Sequence, residues 1–339
     1  MKRLIGALAS GTVLAVAPAI AQDKIELKAS IFAPPAHGFM VDVLQPWSQE
    51  VEKRTNGKVT FRLFAGNSPF GNVANQSDQV AAGVTDIGFG LNGVPRGRLP
   101  RTLLMDLPLM SKTSYAATNA LWAMLPTHLA DDYKGFKVLG LHCHNAGDFF
   151  TRDKKIEKLD DLKGQRIRAP SSQVQALLAF IGATPVMMGP GQIYEGLEKG
   201  TLDGISMVYD GVRGFRLEGL LKHAYSAGIY TTCFHLLMNQ KKFEGLPADV
   251  KKVIDDTTGE TWVKRFPELW DRWDEAGRQA TAAKGVQVVA VSDQVREQWR
   301  TQFKPLIDQQ IAETEKQGVP NARAIYDEMV KQVARFSKK

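Results

Sequence analysis

The stretch "KIELKASIFAPPAHGFMVDVLQPWSQEVEKRTNGKVTFRLFA", residues 24–65, predicts a strand, a helix and a second strand in succession. Residues 24–32 and 58–65 place apolar side chains at every second position, as strands with one buried face do. Between them, residues 40–57 have the helical spacing of apolar side chains and end at Gly57, a residue suited to the left-handed position after a helix. This order indicates a mostly parallel sheet covered by helices, an α/β fold.

A short pattern recurs in the two halves of the chain. Residues 79–90, "QVAAGVTDIGFG", and 196–207, "GLEKGTLDGISM", each contain a helix end, a glycine, two residues, an aspartate and a short apolar strand. One interpretation is chance recurrence of a common helix-to-strand loop. The other is a pair of similar lobes, which with a cleft between them would form a clamshell binding protein that closes by hinge motion.

The C-terminal third is predicted to be helical. Residues 247–285 have helical periodicity over nearly their full length, and Pro267 is expected to kink or interrupt the helix. A helix of this length would extend beyond a single small lobe. We therefore expect it to run across both lobes and brace them.

Composition and charge indicate an ordinary globular protein. The chain has 339 residues, 44% hydrophobic content and a formal net charge of +7. Its lysines and arginines are interspersed with acids, which is typical of a solvated surface. Nucleic-acid binding is not expected, because no basic stripe interleaved with aromatic residues occurs.

The N-terminus has the pattern of a secretory signal peptide. Lys2 and Arg3 precede the apolar residues 4–16, and small residues around Ala21 indicate cleavage after it, so residues 1–21 would be removed. A membrane anchor would need roughly 20 apolar residues, which this segment lacks. The mature protein is expected to be exported and soluble.

The two cysteines, Cys143 and Cys233, lie in histidine-containing segments. Three arrangements are open: a mixed Cys/His metal site, a disulfide, which an exported protein can keep, and two buried free thiols. Metal-ligand spacing is absent, and strand alternation puts Cys143 on the opposite face from His142 and His144. Because free cysteine behaves mostly as a small core hydrophobe, buried thiols are the favoured interpretation.

Two arginines stand one residue apart in "KGQRIRAP", residues 163–170, on a strand-like run that ends at Pro170. The guanidinium group is charged at physiological pH, and its paired donors match a carboxylate. Ligands of α/β sheets bind beyond the carboxyl ends of strands, where Arg168 lies. We interpret Arg168 as a candidate anion contact and Arg166 as a surface residue. Surface or interlobe salt bridges are the alternative for both.

"DDLKGQRIRAP" and "IGATPVMMGPGQIYEGLEKGTLDGI" resemble the signature region of the substrate-binding subunits of tripartite ATP-independent periplasmic (TRAP) transporters, the DctP family. "EVEKRTNGKVTFRLFAG", "AAGVTDIGFG" and "LLMNQKKFEGLPADVKKVI" extend the likeness over most of the mature chain. The resemblance implies a two-lobed periplasmic binding protein with crossing hinge strands, which would hold both cysteines, and a long bracing helix. Such a protein delivers a small organic acid to a small and a large integral membrane subunit.

The resemblance also implies lobe boundaries and ligand contacts. Lobe I would comprise residues 22–144 and 234–270, and lobe II residues 145–233 and 271–339. Arg168 would hold the ligand carboxylate. Other positions that match the pocket of the family are His37, Asn72, Asn92, Ser171 and Met188.

The chain departs from relatives that bind sugar acids. Those that bind sialic acid have a second arginine near the position of Asp148, and many relatives have a polar run where this chain has Met207 and Tyr209. With Phe149 or Phe150 nearby, these residues suggest an apolar ligand body, an aromatic or branched monocarboxylate; ordinary lobe packing is the alternative.

Three classes of function fit these features. The first is a TRAP solute receptor in the periplasm, which is not an enzyme and needs no cofactor. The second is an exported enzyme acting on a carboxylic acid, with His37 and either Asp148 or Asp210 as acid and base. The third is a ligand-sensing input for a receptor kinase. Asp210 could also neutralise Arg168 or hold a metal ion, but a hard cation needs several convergent oxygen ligands, so no metal site is predicted.

Overall fold

The computed structural model describes residues 24–338. The predicted signal peptide, residues 1–21, lies outside the described residues. None of the helices in residues 24–338 combines the length and the apolar character needed to cross a membrane.

The first sheet is built mainly by the N-terminal part of the chain. Its strands are β1 (Ile25–Ile31), β2 (Val59–Phe64), β3 (Ile87–Leu91), β4 (Phe136–Cys143) and β10 (Cys233–Asn239). They lie in the order β2-β1-β3-β10-β4, with β1 parallel to β2 and β3 and β10 antiparallel to its two neighbours. The strand, helix, strand prediction for residues 24–65 is confirmed, and Gly57 has a left-handed φ of 74°.

The second sheet is built by the later part of the chain. Its strands are β5 (Gly147–Thr151), β6 (Arg166–Ala169), β7 (Thr184–Met187), β8 (Gly204–Met207), β9 (His223–Tyr230) and β11 (Gln287–Ala290). They lie in the order β11-β9-β5-β8-β6-β7. The β6 strand is parallel to β7 and β8, whereas β5 is antiparallel to β8 and β9. Two mixed sheets of this kind confirm the α/β fold class.

Helices cover both sheets. Those in the described residues are α1 (Gln45–Arg54), α2 (Gln76–Ala81), α3 (Ser114–Met124), α4 (Ser172–Phe180), α5 (Ile193–Glu198), α6 (Tyr209–Gly214), α7 (Gln240–Glu244), α8 (Ala248–Thr257), α9 (Glu260–Ala283), α10 (Asp293–Lys316) and α11 (Ala322–Phe336). Gly83, with φ of 72°, follows α2 and leads to β3, and Gly200, with φ of 70°, follows α5 and leads to β8. The recurring sequence pattern therefore builds the same helix-to-strand unit in each sheet.

The chain crosses between the sheets at residues 144–146, at residues 231–232 and through α9. Cys143 and Cys233 are register partners beside the first two crossings and form a disulfide. The interpretation as free thiols was therefore wrong. Antiparallel pairing of β4 with β10 brings together two residues that are 90 positions apart, and neither local sequence segment contains that information.

The strands divide between the sheets close to the predicted lobe boundaries, since all strands of the first sheet except the first residue of β10 fall within residues 22–144 and 234–270. The C-terminal helix α11 falls within the residues predicted for lobe II. It nevertheless packs against α3, which falls within the residues predicted for lobe I and also contacts β4 of the first sheet. The lobe boundaries stay a prediction.

Helix α9 runs across both sheets, as expected of a bracing helix. Near its start, Trp262 lies against Gly140 of β4 in the first sheet; near its end, Gly277 lies so close to α6 that a Cβ there would be 2.2 Å from the Tyr209 carbonyl oxygen. Of the two expectations for Pro267, an interruption was wrong, because the helix continues through this residue, and a kink there stays a prediction. The break falls at Gly259, whose φ of 60° ends helical geometry between α8 and α9.

Candidate ligand-binding site

A small cavity of about 60 Å³ lies between the two sheets, where strands from both come to an end. Phe32 follows β1 directly, Arg168 lies near the end of β6, and Met207 is the last residue of β8. The crossing segments contribute His144 and Thr232. The cavity therefore has the location that α/β folds favour for ligands, beyond the carboxyl ends of parallel strands.

Arg168 is the cationic group of this cavity. Its side chain is only 3% exposed, its Nε donates to the Met188 carbonyl (3.0 Å) and its Nη1 to the Ser206 carbonyl (3.2 Å). Burial lowers the pKa of Arg168 to about 10, so the group remains ionised at neutral pH. Within residues 24–338 it forms no ion pair with a carboxylate. A buried cation without an anion is costly, and a bound anion would offset that cost.

Aromatic side chains supply much of the cavity wall. Phe89 lies almost parallel to Phe39, with ring centroids 3.6 Å apart, and to Phe234, with centroids 5.5 Å apart. The indole nitrogens of Trp270 and Trp273 donate to His142 and Asp42, respectively. Since those polar atoms already have partners, the two indoles offer mainly carbon surface to a ligand.

His37 and Asp210 lie side by side in the wall, with 3.2 Å between His37 Nε2 and Asp210 Oδ2. The Phe39 backbone N–H donates to His37 Nδ1, so the proton of the neutral ring lies on Nε2. Asp210 thus pairs with His37 and not with Arg168, which was one of the alternatives considered from the sequence. Within residues 24–338, no group of three or more His, Cys, Asp or Glu side chains is arranged to hold a metal ion.

His144 adds a neutral imidazole to the wall. Its Nε2 accepts a hydrogen bond from the Thr232 backbone N–H at 3.1 Å, and its Nδ1 bonds to the Asn145 carbonyl. Burial lowers the pKa of His144 to about 4. Tyr230 is also buried in the wall near Arg168, and burial raises the pKa of its hydroxyl. Both side chains are therefore uncharged at neutral pH.

The structure brings together only part of the predicted site. Arg168, Met207 and His37 line the cavity. Asn72 and Met188 line a wider space of about 610 Å³ that shares Phe32, Leu91, Pro170 and Pro190 with the cavity, and we call this space the cleft mouth. The exposed Asn72 also accepts a hydrogen bond from the Ala74 backbone N–H, so it caps a short 3₁₀ turn.

Tyr209 and Asn92 lie outside the cavity, contrary to the expectation that they would face a ligand. Tyr209 is the first residue of α6, and its ring packs edge-on against Phe150 and beneath the guanidinium of Arg278. Asn92 is buried, and its side-chain oxygen bonds to His235 Nδ1 at 2.9 Å. Phe149 and Phe150 are fully buried in hydrophobic cores. Core packing orients the aromatic side chains, and the hydrogen bond to His235 orients Asn92.

Ser171 and Asp148 also lie outside the cavity. Ser171 caps the N-terminus of α4 by accepting a hydrogen bond from the Val174 backbone N–H. Asp148 lines a separate polar pocket near the crossing segments and accepts hydrogen bonds from the Ser226 hydroxyl and the Gly228 backbone N–H, each at 3.0 Å. Asp148 is therefore not placed to act together with His37 on one bound molecule, so of the two acids named by the enzyme hypothesis only Asp210 lies beside His37.

Asp148 gives a prediction about the pH dependence of stability. Burial raises the pKa of Asp148 to about 6 in the folded protein, whereas the unfolded chain has a value of about 3.9. The folded state binds the proton more tightly, so this carboxyl favours folding less as the pH rises from about 4 to about 6. We expect the stability of Asp148→Asn relative to the parent to increase over this range, by at most about 1.4 kcal/mol per pH unit.

Urea unfolding at intervals between pH 4 and 7 measures this difference. As a control, Asp203→Asn should show little pH dependence over this range, because the pairing with Arg166 lowers the pKa of Asp203 and its titration then falls mostly below about pH 4. A pH-independent difference between Asp148→Asn and the parent would contradict the prediction.

The aromatic wall was not predicted from the sequence. Phe89, Phe234, Trp270 and Trp273 come from three distant segments, and aromatic residues at helical spacing are more often core residues. His144 and Tyr230 lie beside the crossings, where the strand alternation alone does not show which face borders a cavity. The one available signal was the position of Phe89 near the end of a strand within the recurring pattern.

Comparison with known proteins gives consistent results. Residues 30–314 match the family described as bacterial extracellular solute-binding protein, family 7, DctP. A TRAP solute-binding protein from Rhodoferax ferrireducens, solved with copurified benzoate, is 29% identical, with a TM-score of 0.87 over 93% of this chain and 99% of that one. A marine metagenome TRAP solute-binding protein, specific for aromatic acid ligands and solved with metahydroxyphenylacetate, is 28% identical, with a TM-score of 0.85 over 92% and 99% of the two chains.

The C4-dicarboxylate-binding periplasmic protein DctP of Rhodobacter capsulatus is 23% identical over 77% of this chain and 79% of its own length. The family match covers most of the chain, and the two-sheet α/β architecture is shared with the solved TRAP proteins. The chain therefore belongs to the DctP family of bacterial extracellular solute-binding proteins, the solute-binding proteins of TRAP transporters.

Proposed function

We propose that this protein is a periplasmic TRAP receptor that binds a small aromatic or branched monocarboxylate and delivers it to a small and a large membrane subunit. The observation that carries the proposal is the buried, ionised Arg168, which has no carboxylate partner within residues 24–338 and borders a cavity with aromatic walls. The secretory pattern of residues 1–21 supports a periplasmic location.

The charge of the cavity supports an anionic ligand. Two of the guanidinium nitrogens of Arg168 already donate to carbonyl groups, and these bonds hold the group in place without neutralising it. A ligand carboxylate can accept the remaining donors and compensate the buried charge. Because Arg168 is the only lysine or arginine among the described residues 24–338 that lines the cavity, a single carboxylate is favoured over a dicarboxylate.

The walls of the cavity support an apolar ligand body. Aromatic rings bury apolar surface and stack against flat groups. A sugar acid would bring several hydroxyl groups against rings such as Phe89 and Phe234, and each unpaired hydroxyl would lose its hydrogen bonds to water. The relatives solved with benzoate and with metahydroxyphenylacetate agree with this preference.

We infer that binding closes the two lobes around the ligand. His37 follows β1 of the first sheet and Asp210 lies in α6, beside the second sheet, so the pair joins the two sides of the cavity. Hinge closure around a ligand is the motion that periplasmic binding proteins use. Because an imidazole beside a carboxylate can also act as an acid and a base, the fate of the bound acid must be measured as well.

The test uses the mature protein without residues 1–21 and a panel of organic acids. Thermal unfolding and titration calorimetry should show binding of benzoate, phenylacetate or isovalerate, with a stabilisation of about 2.7 kcal/mol at a ligand concentration of 100 times Kd. Succinate and glucuronate should bind far more weakly. The bound acid should be recovered chemically unchanged. Preferential binding of succinate or glucuronate would overturn the ligand assignment, and turnover would support the enzyme hypothesis.

A further inference from the structure

We propose that Asp210 is a second ligand-contacting group of the cavity and accepts a hydrogen bond from a donor on the ligand, an O–H or a neutral N–H. The preferred ligand would then be a monocarboxylate with a hydroxyl or amino substituent away from its carboxylate. This inference rests on the proposed function, because it assumes that Arg168 holds the carboxylate.

The hydrogen bonding of the Asp210 carboxylate is incomplete. Its Oδ2 lies 3.2 Å from His37 Nε2, and the Asp210 backbone N–H donates to Asp274 Oδ1 at 2.9 Å. Its Oδ1 makes no hydrogen bond within residues 24–338, although the side chain is only 5% exposed. Asp210 lines the cavity, so its carboxylate borders the space that a ligand would fill.

The neighbouring groups leave the Asp210 carboxylate without a full set of donors. His37 Nδ1 accepts from the Phe39 backbone N–H, so of its two ring nitrogens only Nε2 is left to face Asp210. His37 therefore offers Asp210 one N–H at most. Arg168 and Asp210 both line the cavity but form no ion pair with each other. The carboxylate of Asp210 still lacks a donor, and hydrogen bonds to charged groups are stronger than those between neutral groups.

The unpaired acceptor of Asp210 affects which ligands the cavity prefers. A site with an unpaired buried acceptor binds donor-bearing ligands more tightly, because a ligand without a donor leaves the acceptor desolvated and unpaired. A methoxy group has nearly the same position and polarity as a hydroxyl but brings only an acceptor toward Asp210. Comparison of hydroxy, amino and methoxy derivatives therefore isolates the donor from the size of the substituent.

The experiment measures Kd by titration calorimetry for benzoate and its 3- and 4-substituted hydroxy, amino and methoxy derivatives, with the parent protein. At the ring position that reaches Asp210, we expect the hydroxy- or the amino-substituted benzoate to bind at least tenfold more tightly than both benzoate and the methoxy-substituted benzoate. Comparison of Kd for the hydroxy and the amino derivative shows whether the site prefers an O–H or an N–H donor. Tighter binding of either derivative than of benzoate and the methoxy derivative supports the inference.

The variant Asp210→Asn should reverse this preference. Its amide oxygen can still accept from His37, which leaves the NH₂ group toward the ligand, so the methoxy acid should gain and the advantage of the donor-bearing acid should fall to about twofold or less. Asp148→Asn, a change at a buried aspartate outside the cavity, serves as the matched control and should keep the preference of the parent.

The outcomes separate this inference from the proposed function. If none of the monocarboxylates binds the parent, the proposed function fails. If they bind but donor-bearing and methoxy acids have equal affinity, or if Asp210→Asn keeps the parent preference, the role of Asp210 is wrong and the monocarboxylate receptor stands. The series with the parent protein decides the question even if Asp210→Asn does not fold.

Discussion

Replacing Arg168 with alanine should weaken binding of the carboxylate ligand by about 2 to 5 kcal/mol, which raises Kd roughly 30- to 4,000-fold. The ligand anion would keep its buried position but lose its cationic partner. Arg168→Lys should recover only part of the loss, because a lysine ammonium lacks the planar fork of donors. It would also have to replace the bonds that Arg168 makes to the Met188 and Ser206 carbonyls.

Arg166→Ala is the matched control for this prediction. Arg166 lies two residues earlier on the same strand, is 43% exposed and pairs with Asp203 through two nitrogen atoms. Because surface ion pairs contribute about 0 to 1 kcal/mol, its removal should leave Kd within about twofold of the parent value. Calorimetry with an acid that binds the parent, and thermal unfolding of the ligand-free variants, provide the measurements. Equal affinity of Arg168→Ala and the parent would refute the assignment of Arg168.

Removing the disulfide should lower the free energy of unfolding by about 4 to 5 kcal/mol, since the bond closes a loop between residues 90 positions apart. The variant would carry Cys143→Ala and Cys233→Ala together. In the oxidised parent, the crosslink restricts the unfolded chain, which otherwise gains conformational entropy. The bond also ties β4 to β10 beside both crossings.

Denaturant unfolding with and without dithiothreitol tests this effect. The reductant should destabilise the parent to about the level of the double variant and should leave the double variant unchanged. The same stability for the oxidised parent and the double variant would show that the crosslink is not formed or does not contribute. The stability of the reduced parent separates loss of the crosslink from any loss of packing at the two buried side chains.

Part of the candidate site could be predicted from strand positions. The apolar run before Pro170 and the recurring pattern before Met207 indicated two strand ends, and ligands of α/β folds bind at such ends. The structure places Arg168 and Met207 at the cavity. Tyr209 shows the limit of this reasoning. It lies only two residues beyond Met207, but the chain has already turned into α6, and the ring packs against Phe150.

The aromatic wall and the disulfide could not be predicted from the sequence, because both depend on contacts between distant segments. Phe89, Phe234 and Trp270 meet because β10 returns from the second sheet to pair with β3, and because α9 then passes over the first sheet. Each of these residues is an ordinary core residue in its own segment. They line one cavity only because long-range strand pairing brings their segments together.

By itself, the sequence determined the α/β class, the recurring helix-to-strand unit, the long helix between the two sheets and the family likeness, because periodicity and turn chemistry act over a few neighbouring residues. Only the tertiary structure decided the disulfide, the break at Gly259, the aromatic wall and the pairing of Asp210 with His37. These features depend on contacts between residues far apart in the chain, and the orientation of a side chain at a strand end depends on which neighbours fill the space beside it.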